Sequence, residues 1–330
     1  MNNRRKLIVA LGASALATPF GSIAQQQGKV WRVGVLWERK RDLSSVDRID
    51  DFKAGMRDFG YMEGRDYTIE YRFPQDGNLA RLPALAAELV NLQVDVIMSS
   101  GTPSAVAASK ATREIPILIV TVGDPVGSGL AATLARPGGN VTGLTSITTE
   151  LYSKRLDLLR QLLPGMRRVG FLYNPDNGND ALVLRQFELD CEKLGFKALP
   201  APVRMAEEIV PAFNTLRRDK AQSTIVTSGA TNLAWRESII EQAAKHRLPA
   251  IYGQSIFVEA GGLISYSSHI SDLYRRSAAY VAKIFKGAKP GDLPIEQPLK
   301  FELVINLKTV KALGIKIPDV IMLRADKVIE

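Results

Sequence analysis

The 330-residue chain is 46% hydrophobic and 23% charged, with a formal net charge of +9. A chain of this length buries two cores rather than one. Its single cysteine excludes an internal disulfide, and its two histidines leave a zinc site or a Ser-His-Asp triad little to draw on. The basic residues are scattered, with short runs at Arg39-Lys40-Arg41, Arg167-Arg168 and Arg217-Arg218, and read as solvated faces and not as a nucleic-acid stripe.

Arg4-Arg5-Lys6, the apolar residues 7–17 and then Ser22-Ile23-Ala24 have the form of a secretory leader over residues 1–24, cleaved before Gln25. The apolar part is too short to span a bilayer, and no later segment is apolar for long enough. The Arg4-Arg5 pair also fits a twin-arginine signal, so both export routes stay open. No cysteine follows the apolar part to take a lipid. Losing the three leader cations lowers the formal charge from +9 to +6. The expectation is an exported periplasmic protein.

From residue 31 apolar strands alternate with amphipathic helical patterns. Strand 31–37 ends on Trp37 and precedes helix 46–59; strand 67–72 precedes helix 78–92. Strand 95–99 enters the turn Ser99-Ser100-Gly101-Thr102-Pro103-Ser104 and helix 104–113. Thr102 suits a helix N-cap and Pro103 a first helical residue. Such a turn offers backbone N–H groups and a positive helix end at the carboxyl edge of a parallel sheet, where small anions bind. A ligand carboxylate, or a comparable oxygen, is expected there against Ser100, Gly101 and Thr102. Strand 117–122 carries Thr121 near its end, and Asp124-Pro125 suits a turn, with a ligand or hinge role left open.

Gly138-Gly139-Asn140-Val141-Thr142-Gly143 reads as a glycine-rich crossover, after which the pattern restarts. Helix 149–163, strand 168–173 and helix 181–193 follow, the last with Cys191 at a core position. Then come strand 197–201, helix 206–218, strand 223–227, helix 233–246, strands 250–252 and 263–265, and helix 272–285. This alternation predicts an α/β protein of two doubly wound, Rossmann-like lobes with a ligand cleft between the carboxyl ends of their strands. The expected boundaries are 29–143 for lobe 1 and 144–255 for lobe 2. Residues 256–330 are assigned to a return to lobe 1, with a final crossover to lobe 2 left open. Hinges are expected near 140–145 and 253–260.

Several segments resemble one known family. They are Gly60-Tyr61-Met62-Glu63-Gly64-Arg65-Asp66-Tyr67, Arg81-Leu82-Pro83-Ala84-Leu85-Ala86, the Ser100-Gly101-Thr102-Pro103 turn, Gly123-Asp124-Pro125-Val126-Gly127, and Leu134-Ala135-Arg136-Pro137-Gly138-Gly139-Asn140-Val141-Thr142-Gly143. Phe257-Val258-Glu259-Ala260-Gly261-Gly262-Leu263 and Pro298-Leu299-Lys300-Phe301-Glu302 complete the set, which covers nearly the whole mature chain. It resembles the ABC-transporter substrate-binding proteins of the tryptophan/tyrosine-binding-like group, with the type I periplasmic-binding fold. The resemblance implies three crossings between the lobes. It also implies ligand contacts at Trp37 with Glu38, Ser100, Gly101, Thr102, Thr121 and Asp124 in lobe 1, and at Asn174, Ser228 and Asn232 in lobe 2, with Tyr252 near the return. One departure is plain. Amino-acid-binding members of the family often carry an acid in the loop after the strand ending here at Thr227, where this chain has Ser228-Gly229-Ala230, which weighs against a ligand ammonium.

An enzyme is not indicated. Gly127-Ser128-Gly129-Leu130-Ala131-Ala132 matches G-x-G-x-x-A by letters, but it follows Asp124-Pro125 and not a strand, without a placed acidic ribose partner. There is no phosphate-binding P-loop and no G-x-S-x-G elbow. The expectation is a monomeric solute-binding protein without cofactor or metal. It would capture a small amino-acid-like, aromatic or carboxylate solute and deliver it to an inner-membrane ABC permease. A sensing subunit for a signalling receptor, or the binding protein of a secondary carrier, remains the alternative.

Overall fold

A computed structural model describes residues 29–38, 43–75, 78–146 and 148–330. The leader expected over 1–24 and the Arg39-Lys40-Arg41 run lie outside the described residues. In the first lobe, β1 (Trp31–Trp37), α1 (Leu43–Asp58), β2 (Tyr67–Arg72), α2 (Leu82–Asn91), β3 (Val96–Ser100), α3 (Thr102–Ala111), β4 (Ile117–Val122) and β5 (Val141–Thr145) follow in turn. They form a five-stranded sheet ordered β2-β1-β3-β4-β5, parallel throughout. Parallel strands covered on both faces need continuous apolar runs, and β4 is buried at Ile117, Leu118, Ile119 and Val120.

The chain then crosses into α4 (Thr148–Leu162), β6 (Arg168–Tyr173), α5 (Gly178–Lys193), β7 (Lys197–Pro202), α6 (Ile209–Arg218), β8 (Ser223–Val226), α7 (Ala230–Ala234), α8 (Arg236–Lys245), β9 (Ala250–Tyr252), α9 (Ser255–Glu259) and β10 (Ile264–Ser268). It returns as α10 (Ile270–Phe285) and ends as β11 (Phe301–Asn306), α11 (Leu307–Leu313), α12 (Asp319–Met322) and β12 (Lys327–Ile329). The second sheet is ordered β12-β11-β10-β9-β8-β6-β7, with only the β10–β11 pair antiparallel.

Each sheet is packed on both faces. In the first lobe, Val33, Val35, Phe52 and Met56 join Leu273, Tyr274 and Val281 of α10, while Leu89, Ile97, Ala108 and Ile119 fill the other face. In the second, Leu156, Phe171, Phe187 and Ile305 lie on one face and Leu172, Phe213, Val226 and Tyr252 on the other. Burying each large side chain contributes about 1.5–3 kcal/mol. Cys191 belongs to this packing, and burial pushes its thiol up to about 12.

Two expectations change, and one choice left open is decided. The 138–143 segment is not itself the crossover. Gly138 and Gly139 make a left-handed turn, and β5 then pairs beside β4. Gly143 has φ +135, and any β-carbon there would strike the Ile119 carbonyl. Residues 256–268 do not return to lobe 1: β10 continues the second sheet, Ile264 opposite Ile251. Only α10 and the segment beyond it return. Residues 301–330 belong to the second sheet, because Leu303, Val304 and Ile305 are its buried apolar run. The lobes are therefore linked after β5, between β10 and α10, and before β11.

Candidate functional site

The carboxyl ends of β1, β3 and β4 face those of β6, β8 and β9 across a cavity of about 90 Å³. Of the expected residues, Trp37, Ser100, Gly101, Thr102, Thr121 and Ser228 line it.

The β3–α3 turn differs in detail from its sequence reading. Gly101 (φ 89, ψ 158) is the N-cap, and Thr102 is the first helical residue with no capping bond from its side chain. The Ser104 hydroxyl donates to the carbonyl of Ser100 at 2.6 Å and holds the turn. The carboxylate of Glu38 occupies the space over Gly101, where a β-carbon would collide with it. The positive helix end therefore faces an acid of the protein itself. On the other side, Glu38 Oε1 accepts the N–H of Ala230 in the second lobe at 3.2 Å. Beside it, Tyr274 donates to the Ser100 hydroxyl at 2.7 Å, and Ser100 and Thr121 share a bond of 3.2 Å. Thr121 stands at φ 62, a strained conformation for a β-branched residue, and its carbonyl accepts the Ser146 hydroxyl at 3.3 Å.

The second wall holds two charged side chains. Arg155, on α4, is 1% exposed. Its guanidinium lies 4.4 Å above the Tyr152 ring, and its Nε donates to the Tyr266 carbonyl at 2.8 Å. Its Nη2 reaches the Gly253 carbonyl at 3.5 Å, and its Nη1 has no partner among the described residues. Burial pulls its pKa down, and no carboxylate counters that. Asp180, in the first turn of α5, accepts the Thr227 hydroxyl at 2.7 Å and the Asn174 N–H at 3.0 Å. Burial pushes its carboxyl up to about 6. The loop after Thr227 holds no acid, but the Asp180 carboxylate, from another element, is hydrogen-bonded to Thr227. Gln254 donates to the Ser228 carbonyl at 3.2 Å and closes this wall.

Four expected residues are not brought into the cavity. Asp124 accepts the N–H groups of Val126 and Gly127 and makes a turn. Asn174 donates to the Thr231 hydroxyl and accepts the Asp176 N–H. Asn232, fully buried, donates to Thr227. Tyr252 is 1% exposed and stacks on Phe257 at 4.8 Å in the core. The sequence reading missed Arg155 and Asp180. Arg155 did leave a signal: with Tyr152, Leu156 and Leu159 it shares the apolar stripe of an amphipathic helix, where a lone arginine needs a reason. Asp180 left none, because an acid in a helix's first turn is ordinary.

Two α/β lobes, three linking segments and a polar cavity between strand ends define a two-lobed solute receptor of the periplasmic-binding-protein fold. The chain belongs to a family described as ABC transporter substrate binding protein, whose model matches residues 43–329. It is similar to a tyrosine-binding protein of Clostridioides difficile (strain R20291), 26% identical over 265 residues, which are 80% of this chain and 76% of the relative. A conserved domain protein of Vibrio cholerae has a solved structure that is 28% identical, with a TM-score of 0.85 over 91% of this chain and all of its own. An ABC domain from Streptococcus pneumonia in complex with L-Trp is 25% identical, with a TM-score of 0.84 over 91% of this chain and 100% of the domain. No helix among the described residues is long and apolar enough to cross a membrane.

Proposed function

We propose that this chain is an exported, monomeric substrate-binding subunit that captures a small zwitterionic, amino-acid-like solute and hands it unchanged to an ABC permease. The carrying observation is Arg155, a buried guanidinium in the cavity wall with an N–H group left unpartnered and no carboxylate beside it. A buried charge of this kind is stable only when something pairs it. A ligand carboxylate is the chemical match, bidentate with a planar guanidinium. Asp180, and Glu38 on the facing wall, are acceptors suited to an ammonium. The tyrosine and L-Trp named for the relatives are zwitterions of this class.

The expected seat for the carboxylate, at Ser100, Gly101 and Thr102, is replaced in this reading by Arg155, because Glu38 already stands over Gly101. The linking segments act as the hinge, and the ligand favours the closed form that the permease reads. Residues 1–24 direct export and are removed.

The test is titration calorimetry of the purified protein with a panel of L-amino acids that includes tyrosine and tryptophan. Saturable binding with the ligand recovered intact is expected. Arg155→Gln should weaken it by at least about tenfold, since charge-assisted bonds contribute about 1.5–3 kcal/mol each. Full affinity in that variant, or chemical turnover of the ligand, would overturn the reading.

A further inference from the structure

We propose that Trp37 determines specificity: its indole N–H reads a hydrogen-bond acceptor that the ligand carries at the end away from its carboxylate. The proposal rests on the reading of this cavity as the solute site. Trp37 closes β1 directly opposite Ser100 in the sheet register, lines the cavity and is 3% exposed. Its Nε1 is buried and has no partner among the described residues. An indole nitrogen can only donate, and buried tryptophans ordinarily find an acceptor.

The neighbours do not supply one. The hydroxyls around Trp37 are bonded among themselves: Tyr274 to Ser100, Ser100 to Thr121, and Ser146 to the Thr121 carbonyl. Among the described residues the cavity therefore has two buried side-chain N–H donors lacking acceptors, Trp37 Nε1 in the first lobe and Arg155 Nη1 in the second. A guanidinium takes the carboxylate, while a single neutral N–H suits a phenol, hydroxyl or carbonyl oxygen. A ligand bridging the lobes satisfies both only if it has acceptors at two places. One without the second acceptor leaves the indole unpaired and is discriminated against.

Calorimetry on the mature protein would use two probe pairs, L-tyrosine with L-phenylalanine and 4-hydroxyphenylacetate with phenylacetate. The oxygen-bearing member of a pair should bind about tenfold tighter, the worth of one good hydrogen bond. Trp37→Phe, which keeps a ring but removes the N–H, should bind both members alike. In the unsubstituted protein, the Trp37 indole 15N–1H resonance should move downfield with the hydroxylated member only, which keeps the test independent of how the variant folds. An oxygen preference that survives in Trp37→Phe, an unmoved indole resonance, a preference for the oxygen-free member, or no binding by either pair would overturn the proposal. If arylacetates bind as well as amino acids, the zwitterion reading fails while the Trp37 preference still stands or falls on its own result.

Discussion

Glu38 Oε1, at the end of β1, accepts the backbone N–H of Ala230 at the start of α7 across 3.2 Å, joining residues 192 positions apart and on opposite lobes. The same carboxylate stands over Gly101 at the positive end of α3. One acid therefore contacts both walls of the cavity, and in the proposed hinge motion it would act as a latch belonging to the protein itself.

Replacing that acid should open the lobes. A bond to a charged acceptor contributes about 1.5–3 kcal/mol, enough to shift a two-state equilibrium by about tenfold or more. Ligand-free Glu38→Ala should show a larger radius of gyration by small-angle scattering than the unsubstituted protein. Saturating ligand should bring the two closer together. Equal radii without ligand would show that the latch does not govern closure.

Much of this architecture was legible in the sequence. The predicted strands 31–37 and 117–122 coincide with β1 and β4, because parallel strands buried on both faces leave long apolar runs, while 67–72 coincides with β2, an edge strand buried only at Tyr67. Those runs disappear at the ends of the sheets. β5 carries two threonines and a glycine among its residues and looked like a turn. β12 is short and only partly buried. The site was half legible for a related reason. Residues at strand ends, such as Trp37, Ser100 and Thr121, are placed by topology alone. Arg155 and Asp180 sit on helices and reach the cavity through packing that no local pattern records. Asp124 and Asn174 do not line this cavity, and each accepts a backbone N–H two residues on to hold a turn.

Asp180 should give the protein a pH-dependent stability of unusual sign. Its carboxyl titrates at about 6 in the folded chain against an ordinary 3.8. Between those values the folded state binds more protons than the unfolded one, so this group's contribution is fully favourable below about pH 4 and is lost as pH rises through 6. The loss by pH 7 is about 3 kcal/mol at most. Asp180→Asn keeps an oxygen to accept from Thr227 and Asn174 but cannot ionise. Urea unfolding of both proteins at pH 4.5 and pH 7 should show the variant gaining on the unsubstituted protein at the higher pH. A constant difference between the two at both pH values would place the titration of Asp180 outside this range.

Arg155 should trade stability against binding. Without ligand, its guanidinium is buried, flanked by backbone carbonyls and the Tyr152 ring, and leaves Nη1 unpartnered among the described residues. Desolvation of such a charge is not recovered by those contacts alone, and apolar replacements of buried ions are often neutral or stabilising by about 1–4 kcal/mol. Arg155→Met fills a similar volume without the charge. The ligand-free variant should unfold at an equal or higher temperature than the unsubstituted protein. It should also lose the ligand-induced rise in melting temperature, which reports binding to the folded state alone. A variant that is strongly destabilised without ligand would identify Arg155 as a structural tie between α4 and β10. One that keeps the full ligand-induced rise would remove it from the site.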